Sequence, residues 1–170
     1  YRDDAEEYGR ANAISINDDM QIGGYFATAL TPDYKQLSAF RFPAVELPAD
    51  AEIDDAYIEF TTLGIAPGRP GSKMKVRTQL GAAAQYKVQA GDVSARKYSY
   101  RSVDYGQPAF TAALQKVRTA NRKTIIDENR LAGWQSGVAM AFLIEGSDYI
   151  GSVYQGSTAY APRLVITYKN

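Results

Sequence analysis

The chain has 170 residues, of which 45% are apolar and 22% charged, so it is long enough and apolar enough to fold around a sizeable core. Its 19 basic and 19 acidic residues cancel, which excludes a global charge that would draw the chain to nucleic acid or to a membrane surface. It contains no cysteine and no histidine, which excludes disulfides, thiolate metal sites, cysteine nucleophiles and any catalytic triad that needs a histidine.

Short stretches that are rich in β-branched or aromatic residues, or that alternate in polarity, predict β-strands along the whole chain. Turn signals separate these stretches, among them Pro43 and the loop of prolines and glycines at 66–71. At this spacing the strands favour a single all-β domain, residues 1–170, folded as an antiparallel β-sandwich (jelly roll) with one or two short helices. The predicted strands are Ala13–Ile16, Leu37–Phe42, Ala56–Thr62, Lys73–Gln79, Ala95–Ser102, Gly137–Glu145, Ile150–Tyr154 and Leu164–Lys169.

Two stretches predict the short helices. Phe110–Val117 carries apolar residues at positions 110, 113, 114 and 117, which is the spacing of one helical face. Thr124–Leu131 is the second stretch, and Gly133 is suited to end that helix.

The chain shows no sign of a membrane segment. No apolar run approaches the roughly 20 residues that cross a bilayer. The first residue, Tyr1, is neither an initiator methionine nor the start of a signal segment. We therefore expect a mature or excised part of a larger protein, with neither membrane nor nucleic acid as a partner.

Four carboxylates lie close together at Asp3, Asp4, Glu6 and Glu7. In a strand, Asp4 and Glu6 would share one face and the other two the opposite face, so at most two would bind one ion. Carboxylate oxygens are ligands that Ca²⁺ prefers. The spacing leaves open either a solvated acidic terminus or a calcium site with Asp4 and Glu6 as side-chain ligands.

The segment at residues 73–77 alternates cations with apolar residues. A period of two puts Lys73, Lys75 and Arg77 on one face, with the intervening side chains in the core. Three cations on one face repel one another unless something anionic lies nearby. That anion is either a carboxylate ligand, paired with the arginine fork, or a set of acidic neighbours on the adjacent strand. The available neighbours are Glu52, Asp54 and Asp55.

A mixed basic and aromatic segment follows at residues 96–101. Alternation would place Arg96, Tyr98 and Tyr100 on one face. Tyrosine rings stack on the apolar faces of sugars while their hydroxyls remain hydrogen-bonded. The pattern is equally consistent with tyrosines that fill the core.

Further candidates are aromatic or basic side chains elsewhere. Trp134 lies between a predicted helix and a buried strand, which favours a core anchor over a sugar platform. Arg41 is either a structural ion-pair partner or a groove residue. Tyr149, Tyr154 and Tyr160 flank glycine turns, and loops at the edge of a sandwich often carry recognition, so an edge site competes with a site on the sheet face.

Several short blocks of the sequence form a recognisable set, namely Asp3-Asp4-Ala5-Glu6-Glu7, Leu37–Phe42 before Val45-Glu46-Leu47-Pro48, Ala51–Phe60, Ser94-Ala95-Arg96, Gly133-Trp134-Gln135-Ser136-Gly137 and Ala161-Pro162-Arg163-Leu164. In this order they resemble a known family, the bacterial and archaeal extracellular domain named for its DNRLRE motif. That domain is related to disaggregatase repeats, and the blocks are also similar to carbohydrate-binding module family 96. The resemblance covers nearly the whole chain.

The resemblance implies a β-jelly-roll module that is attached to secreted polysaccharide-degrading or cell-surface proteins, with alginate binding by some members. It therefore implies an extracellular or cell-surface location. Sugar-binding modules of this fold often carry a structural calcium near the chain start, which favours the calcium interpretation of Asp4 and Glu6.

We expect a non-catalytic, monomeric carbohydrate-binding module that targets an acidic polysaccharide such as alginate for an attached enzyme. One alternative is a structural or adhesive cell-surface module. Another is a jelly-roll polysaccharide lyase, against which the missing Arg-Glu-Leu-Arg run and Gln-x-His segment count. The ligand-site residues that we expect are Lys73, Lys75, Arg77, Arg96, Tyr98, Arg41 and Tyr154.

Overall fold

The computed structural model of the chain describes residues 3–8, 13–15, 19–23, 36–64, 74–106, 110–146, 149–154 and 159–169. These residues form eleven strands and one helix. In chain order the elements are β1 (Asp4–Tyr8), β2 (Ala13–Ser15), β3 (Asp19–Gly23), β4 (Gln36–Phe42), β5 (Glu52–Thr61), β6 (Lys75–Thr78), β7 (Val103–Asp104), β8 (Lys116–Arg118), α1 (Lys123–Leu131), β9 (Met140–Gly146), β10 (Tyr149–Tyr154) and β11 (Arg163–Lys169).

The strands lie in two layers, and all their pairings are antiparallel. One layer is a six-stranded sheet in the order β2-β1-β4-β9-β6-β7. The other contains a three-stranded sheet, β11-β5-β8, and a two-stranded one, β10-β3. A bridge between Thr62 and Val153 connects these two smaller sheets. The predicted antiparallel β-sandwich with a short helix is therefore confirmed.

The core lies between the layers because the strands alternate in polarity. Ile58 and Phe60 of β5 are fully buried, whereas Tyr57 and Glu59 point to the other face and are half-buried. Phe40 of β4 meets Phe60 across the layers with ring centroids 4.8 Å apart. Each such buried ring contributes about 1.5–3 kcal/mol to folding.

Helix α1 packs on this core through Ile125 and Ile126, both fully buried. It ends as the sequence predicts, because Gly133 adopts a φ of 99° and the Trp134 N–H donates to the Asn129 carbonyl at 3.1 Å. Trp134 is a buried core residue, as expected. Within the described part of the chain, no helix is long and apolar enough to cross a bilayer.

The predicted helix at Phe110–Val117 is wrong. Phe110 and Val117 are buried, but Leu114 is 53% exposed and has a φ of 58°, which no α-helix tolerates. The backbone of this segment pairs with the end of β5 instead: the Leu114 N–H donates to the Thr62 carbonyl at 2.8 Å, and the Thr62 N–H donates to Gln115 at 2.9 Å. Apolar spacing alone does not reveal that competition.

The predicted strand at Ala95–Ser102 is also wrong. The Ala95 N–H donates to the Gly91 carbonyl at 2.9 Å, which makes a turn, and only a single bridge joins Tyr98 to Gln79. The other predicted strands correspond to strands of the structure, although Lys73 and Ile16 lie outside the described residues.

Candidate functional site

The outer face of the six-stranded sheet is largely covered by the loop of residues 80–102, which we call the covering loop. Small residues of three neighbouring strands make the centre of this face shallow, namely Ala5, Ala39 and Ala141. Tyr86 and Val93 of the covering loop pack against them and are fully buried. The centre of the sheet face that carries Arg41, Lys75 and Arg77 is therefore occupied by the chain itself.

Charged side chains of the sheet hold the covering loop in place. The Glu7 carboxylate accepts the N–H groups of Val93 and Ser94 at 2.9 and 2.8 Å. Arg41 forms an ion pair with Asp3, and its Nε donates to the Ala83 carbonyl at 2.8 Å. Of the two interpretations of Arg41, the structure shows the structural ion pair.

The Arg96 side chain connects separate parts of the covering loop by hydrogen bonds. Its guanidinium lies 4.1 Å from the centroid of the Tyr86 ring, and its side chain is only 11% exposed. All five of its N–H groups have acceptors, so it has no donor left for a ligand. The acceptors are the Asp92 carbonyl and carboxylate at 3.1 and 2.8 Å, the Gln79 side chain at 3.0 Å, and the Ala84 and Gln85 carbonyls at 2.6 and 2.9 Å.

The cations of β6 have carboxylate partners. Met74 and Val76 are buried and Lys75 and Arg77 point outward, as the alternation predicts. Lys75 pairs with Asp104 of β7 and lowers the pKa of that carboxyl through their hydrogen bond. Arg77 Nε donates to Glu145 of β9 at 2.7 Å. The neutralising groups are thus not Glu52, Asp54 and Asp55, which belong to β5 in the other layer.

The two tyrosines that alternation placed on one face lie in opposite environments. Tyr98 is half-buried and its hydroxyl donates to the Val93 carbonyl at 2.8 Å, and burial raises the pKa of that hydroxyl. Tyr100 is 92% exposed. The expected common face fails because the segment is not a strand.

The main chain at Tyr100 is nevertheless fixed from both sides. The Tyr100 N–H donates to the Glu128 carboxylate of α1 at 2.6 Å, and the Arg101 N–H donates to the same carboxylate at 3.0 Å. Arg77 Nη1 donates to the Ser99 and Tyr100 carbonyls at 2.8 and 2.9 Å. An exposed ring thus stands on a rigid backbone.

We use the name Tyr100 surface for this ring and the ion pairs beside it, Arg77–Glu145 and Lys75–Asp104. The two cations and two carboxylates cancel in charge. Their remaining donors and acceptors face solvent, since the Lys75 side chain is 48% exposed and the Asp104 side chain 76%. The surface is therefore suited to hydrogen-bond a polar ligand that stacks on the ring.

Tyr154 belongs to a separate aromatic pair. Its ring centroid lies 4.9 Å from that of Tyr160, with the two planes inclined by 32°. Tyr160 is 38% exposed, whereas Tyr154 is half-buried. Tyr154 belongs to β10 in the other layer, whereas Lys75 and Arg77 belong to β6, so the predicted ligand residues that the structure describes do not share one surface. Lys73 lies outside the described residues.

Asp4 and Glu6 share the inner face of β1, as alternation predicts, and both are buried. Burial raises the pKa of each carboxyl to about 7. The Glu6 carboxylate accepts the Gln21 N–H of β3. Calcium takes six to eight oxygen ligands, and the described residues include no group of three or more carboxylates that could hold a metal. These residues alone do not complete a calcium site, and calcium at Asp4 and Glu6 stays a prediction.

The outer face of the three-stranded sheet carries basic residues that the sequence analysis missed. Arg163 of β11 and Arg118 of β8 lie directly opposite Glu59 of β5, one on each side. Lys116 lies 3.4 Å from the Glu59 carboxylate, and the Arg118 guanidinium lies 5.3 Å from the centroid of the Tyr57 ring. We call these five residues the basic face. The signal was present at positions 116–118 as alternating cations around a valine, but the predicted helix concealed it.

Comparisons of this chain with models of known protein families and with curated protein sequences gave no match. The family resemblance of the sequence blocks therefore stays a prediction.

Proposed function

We propose that the protein is a non-catalytic polysaccharide-binding module and that the Tyr100 surface contacts the glycan. The observation that carries this proposal is an almost fully exposed tyrosine, 92% accessible, whose backbone is held by Glu128 on one side and Arg77 on the other. Folding normally removes a tyrosine ring from water at least in part. A ring held out on a fixed backbone is a preorganised contact for a ligand with apolar faces.

A pyranose ring is complementary to this surface, because it has both an apolar face and hydroxyl groups. Its C–H face stacks on the Tyr100 ring, while its hydroxyls exchange hydrogen bonds with the Lys75, Arg77 and Glu145 side chains. Because the backbone is already fixed, binding loses little additional conformational entropy. The surface is open, so affinity for a single sugar is modest, and tethering to a larger extracellular protein raises the effective concentration of an attached enzyme at its substrate.

Affinity electrophoresis tests the proposal against a panel of neutral glucans, alginate, pectin and porphyran. We expect the wild-type protein to be retarded by at least one polymer, and Tyr100→Ala to weaken that retardation about tenfold, since an aromatic contact with its buried area amounts to roughly 1–2 kcal/mol. The matched control is Tyr168→Ala on β11, which removes a tyrosine that is 40% exposed on the other layer.

Two results would overturn the proposal. One is a wild-type protein that no polysaccharide in the panel retards. The other is retardation that Tyr100→Ala and Tyr168→Ala reduce equally, because the Tyr100 ring would then have no special part in it.

A further inference from the structure

The basic face differs from the Tyr100 surface in the state of its arginines. Lys75 and Arg77 each have a carboxylate within hydrogen-bond reach. Among the residues that the structure describes, the guanidinium groups of Arg118 and Arg163 have no hydrogen bond and no ion pair. Both forks are therefore available for an external acceptor, and a guanidinium fork matches a carboxylate or a sulfate.

The charges of the basic face are uneven. Arg118, Arg163 and Lys116 surround one carboxylate, Glu59, and Asp55 of β5 lies on the same face, so three cations against two anions leave an excess of one positive charge. Cations on neighbouring strands repel one another. An anionic ligand relieves that repulsion, whereas water only screens it.

The strand spacing sets the approximate length of a ligand that can contact both arginines. Arg118 and Arg163 lie on the strands at either side of β5, so their backbones are separated by two strand spacings, roughly 10 Å. That is about the length of a disaccharide. The contact with the Tyr57 ring of β5, the middle strand, holds the Arg118 guanidinium in place.

A cavity extends the basic face beside Arg118. It has a volume of about 290 Å³ and is lined by Asp55, Thr119, Asn121 and Gly106 in addition to Arg118. The volume is near the lower end of the range for small-ligand sites. Its polar lining offers acceptors and donors to hydroxyl groups.

We infer that the basic face is a second binding site, on the layer opposite the Tyr100 surface, for the carboxylate or sulfate groups of an anionic polysaccharide. Glu59 and Asp55 decide between this ligand and a nucleic acid. Their carboxylates accept hydrogen bonds from the hydroxyls of a sugar polymer, whereas a DNA backbone has no hydroxyl group to donate.

This inference does not rest on the Tyr100 surface, and it has a functional consequence. The outer faces of the two layers point in opposite directions, so one module can hold two polymer chains at once, one through stacking and one through charge. A preference for acidic glycans would then come from the three-stranded sheet and not from β6.

The experiment measures binding of the double variant Arg118→Gln with Arg163→Gln to polygalacturonate, which carries carboxylates, to dextran sulfate, which carries sulfates, and to neutral dextran. We expect the double variant to bind the anionic polymers at least about tenfold more weakly at low salt, and the wild-type affinity for them to fall as salt rises. The control is Lys87→Gln with Lys97→Gln, which removes the same charge from exposed positions of the covering loop.

The polymers and the variants separate the possible outcomes. Loss with polygalacturonate alone identifies a carboxylate site, and loss with dextran sulfate alone identifies a sulfate site. An equal loss in the lysine control, unchanged binding by the double variant, no wild-type binding to either anionic polymer, or tighter wild-type binding to a DNA oligonucleotide than to both polymers would each overturn the inference. Tyr100→Ala in the same assay shows separately whether the stacking site fails.

Discussion

The tetrapeptide Lys-Val-Arg-Thr occurs once in each layer, at 75–78 in β6 and at 116–119, where its first three residues form β8. Both copies bury the valine and the threonine and turn the cations outward. In β6 the arginine donates to Glu145 and to two backbone carbonyls. In β8 the guanidinium of the arginine contacts the Tyr57 ring and has no hydrogen bond or ion pair among the described residues. The same residues on the same kind of strand are tied to the fold in one layer and left available in the other.

The difference shows that alternation determines the direction of a side chain, whereas neighbouring strands determine its partner. β6 lies between β9 and β7, and each of these strands contributes a carboxylate to one of its cations. β8 is next to β5, whose Glu59 already interacts with Lys116. We therefore expect substitutions of cations on the six-stranded layer to lower stability, and those on the three-stranded layer to weaken binding without lowering stability.

The largest effect on stability is expected for Arg96, whose side chain connects separate parts of the covering loop. Arg96→Ala removes five hydrogen bonds and the stack on Tyr86, and it leaves the Ala84 and Gln85 carbonyls without their donor. We expect the free energy of unfolding in urea to fall by about 2–4 kcal/mol. The matched control is Arg118→Ala, which should change it by less than about 1 kcal/mol. If the two variants lost equal amounts of unfolding free energy, the proposed difference between the arginines of the two layers would be wrong.

A second prediction concerns the inner face of the six-stranded sheet, where the Glu6 carboxyl is buried. Burial raises the pKa of Glu6 from 4.5 in the unfolded chain to about 7. Between these values the folded protein keeps a proton that the unfolded chain has released, so the contribution to stability is complete below pH 4.5. It is lost as the pH rises through 7.

We therefore expect the free energy of unfolding to fall by about 2 kcal/mol between pH 5 and pH 8 because of Glu6. Glu6→Gln keeps an oxygen acceptor for the Gln21 N–H and should remove that part of the pH dependence, whereas Asp50→Asn at an exposed turn should not. A Glu6→Gln profile parallel to that of the wild type would show that this carboxylate does not take up the proton. Excess calcium with and without chelator, measured at pH 8, tests the predicted metal ligands in the same assay.

The sequence predicted the features that depend on local periodicity. The outward cations and buried Met74 and Val76 of β6, the helix that Gly133 ends, and Trp134 in the core follow from spacing and glycine conformation alone. The shared face of Asp4 and Glu6 follows in the same way.

The features that sequence reasoning missed depend on contacts between distant segments. Three alanines, one from each of β1, β4 and β9, make the shallow face on which the covering loop lies, and no single strand reveals this. The segment before β8 has helical spacing, but Thr62, about 50 residues earlier in the chain, supplies its hydrogen bonds. Since that segment leads into Arg118, the wrong helix also concealed the basic face.

The smallest effect on stability is expected for the arginines of the basic face, and it tests the comparison between β6 and β8 most directly. Arg118→Gln with Arg163→Gln removes two exposed guanidinium groups, and the loss of the Tyr57 stack is offset by relief of the repulsion with Lys116. We expect the free energy of unfolding to stay within about 0.5 kcal/mol of the wild-type value in thermal and urea melts. Lys75→Gln with Arg77→Gln is the matched pair on β6 and should destabilise more, because it leaves Glu145 and two carbonyls without their donor. If the β8 and β11 arginines proved as necessary for stability as the β6 cations, their guanidinium groups would have a structural role. If they are dispensable for stability and needed for polymer binding, they serve a ligand.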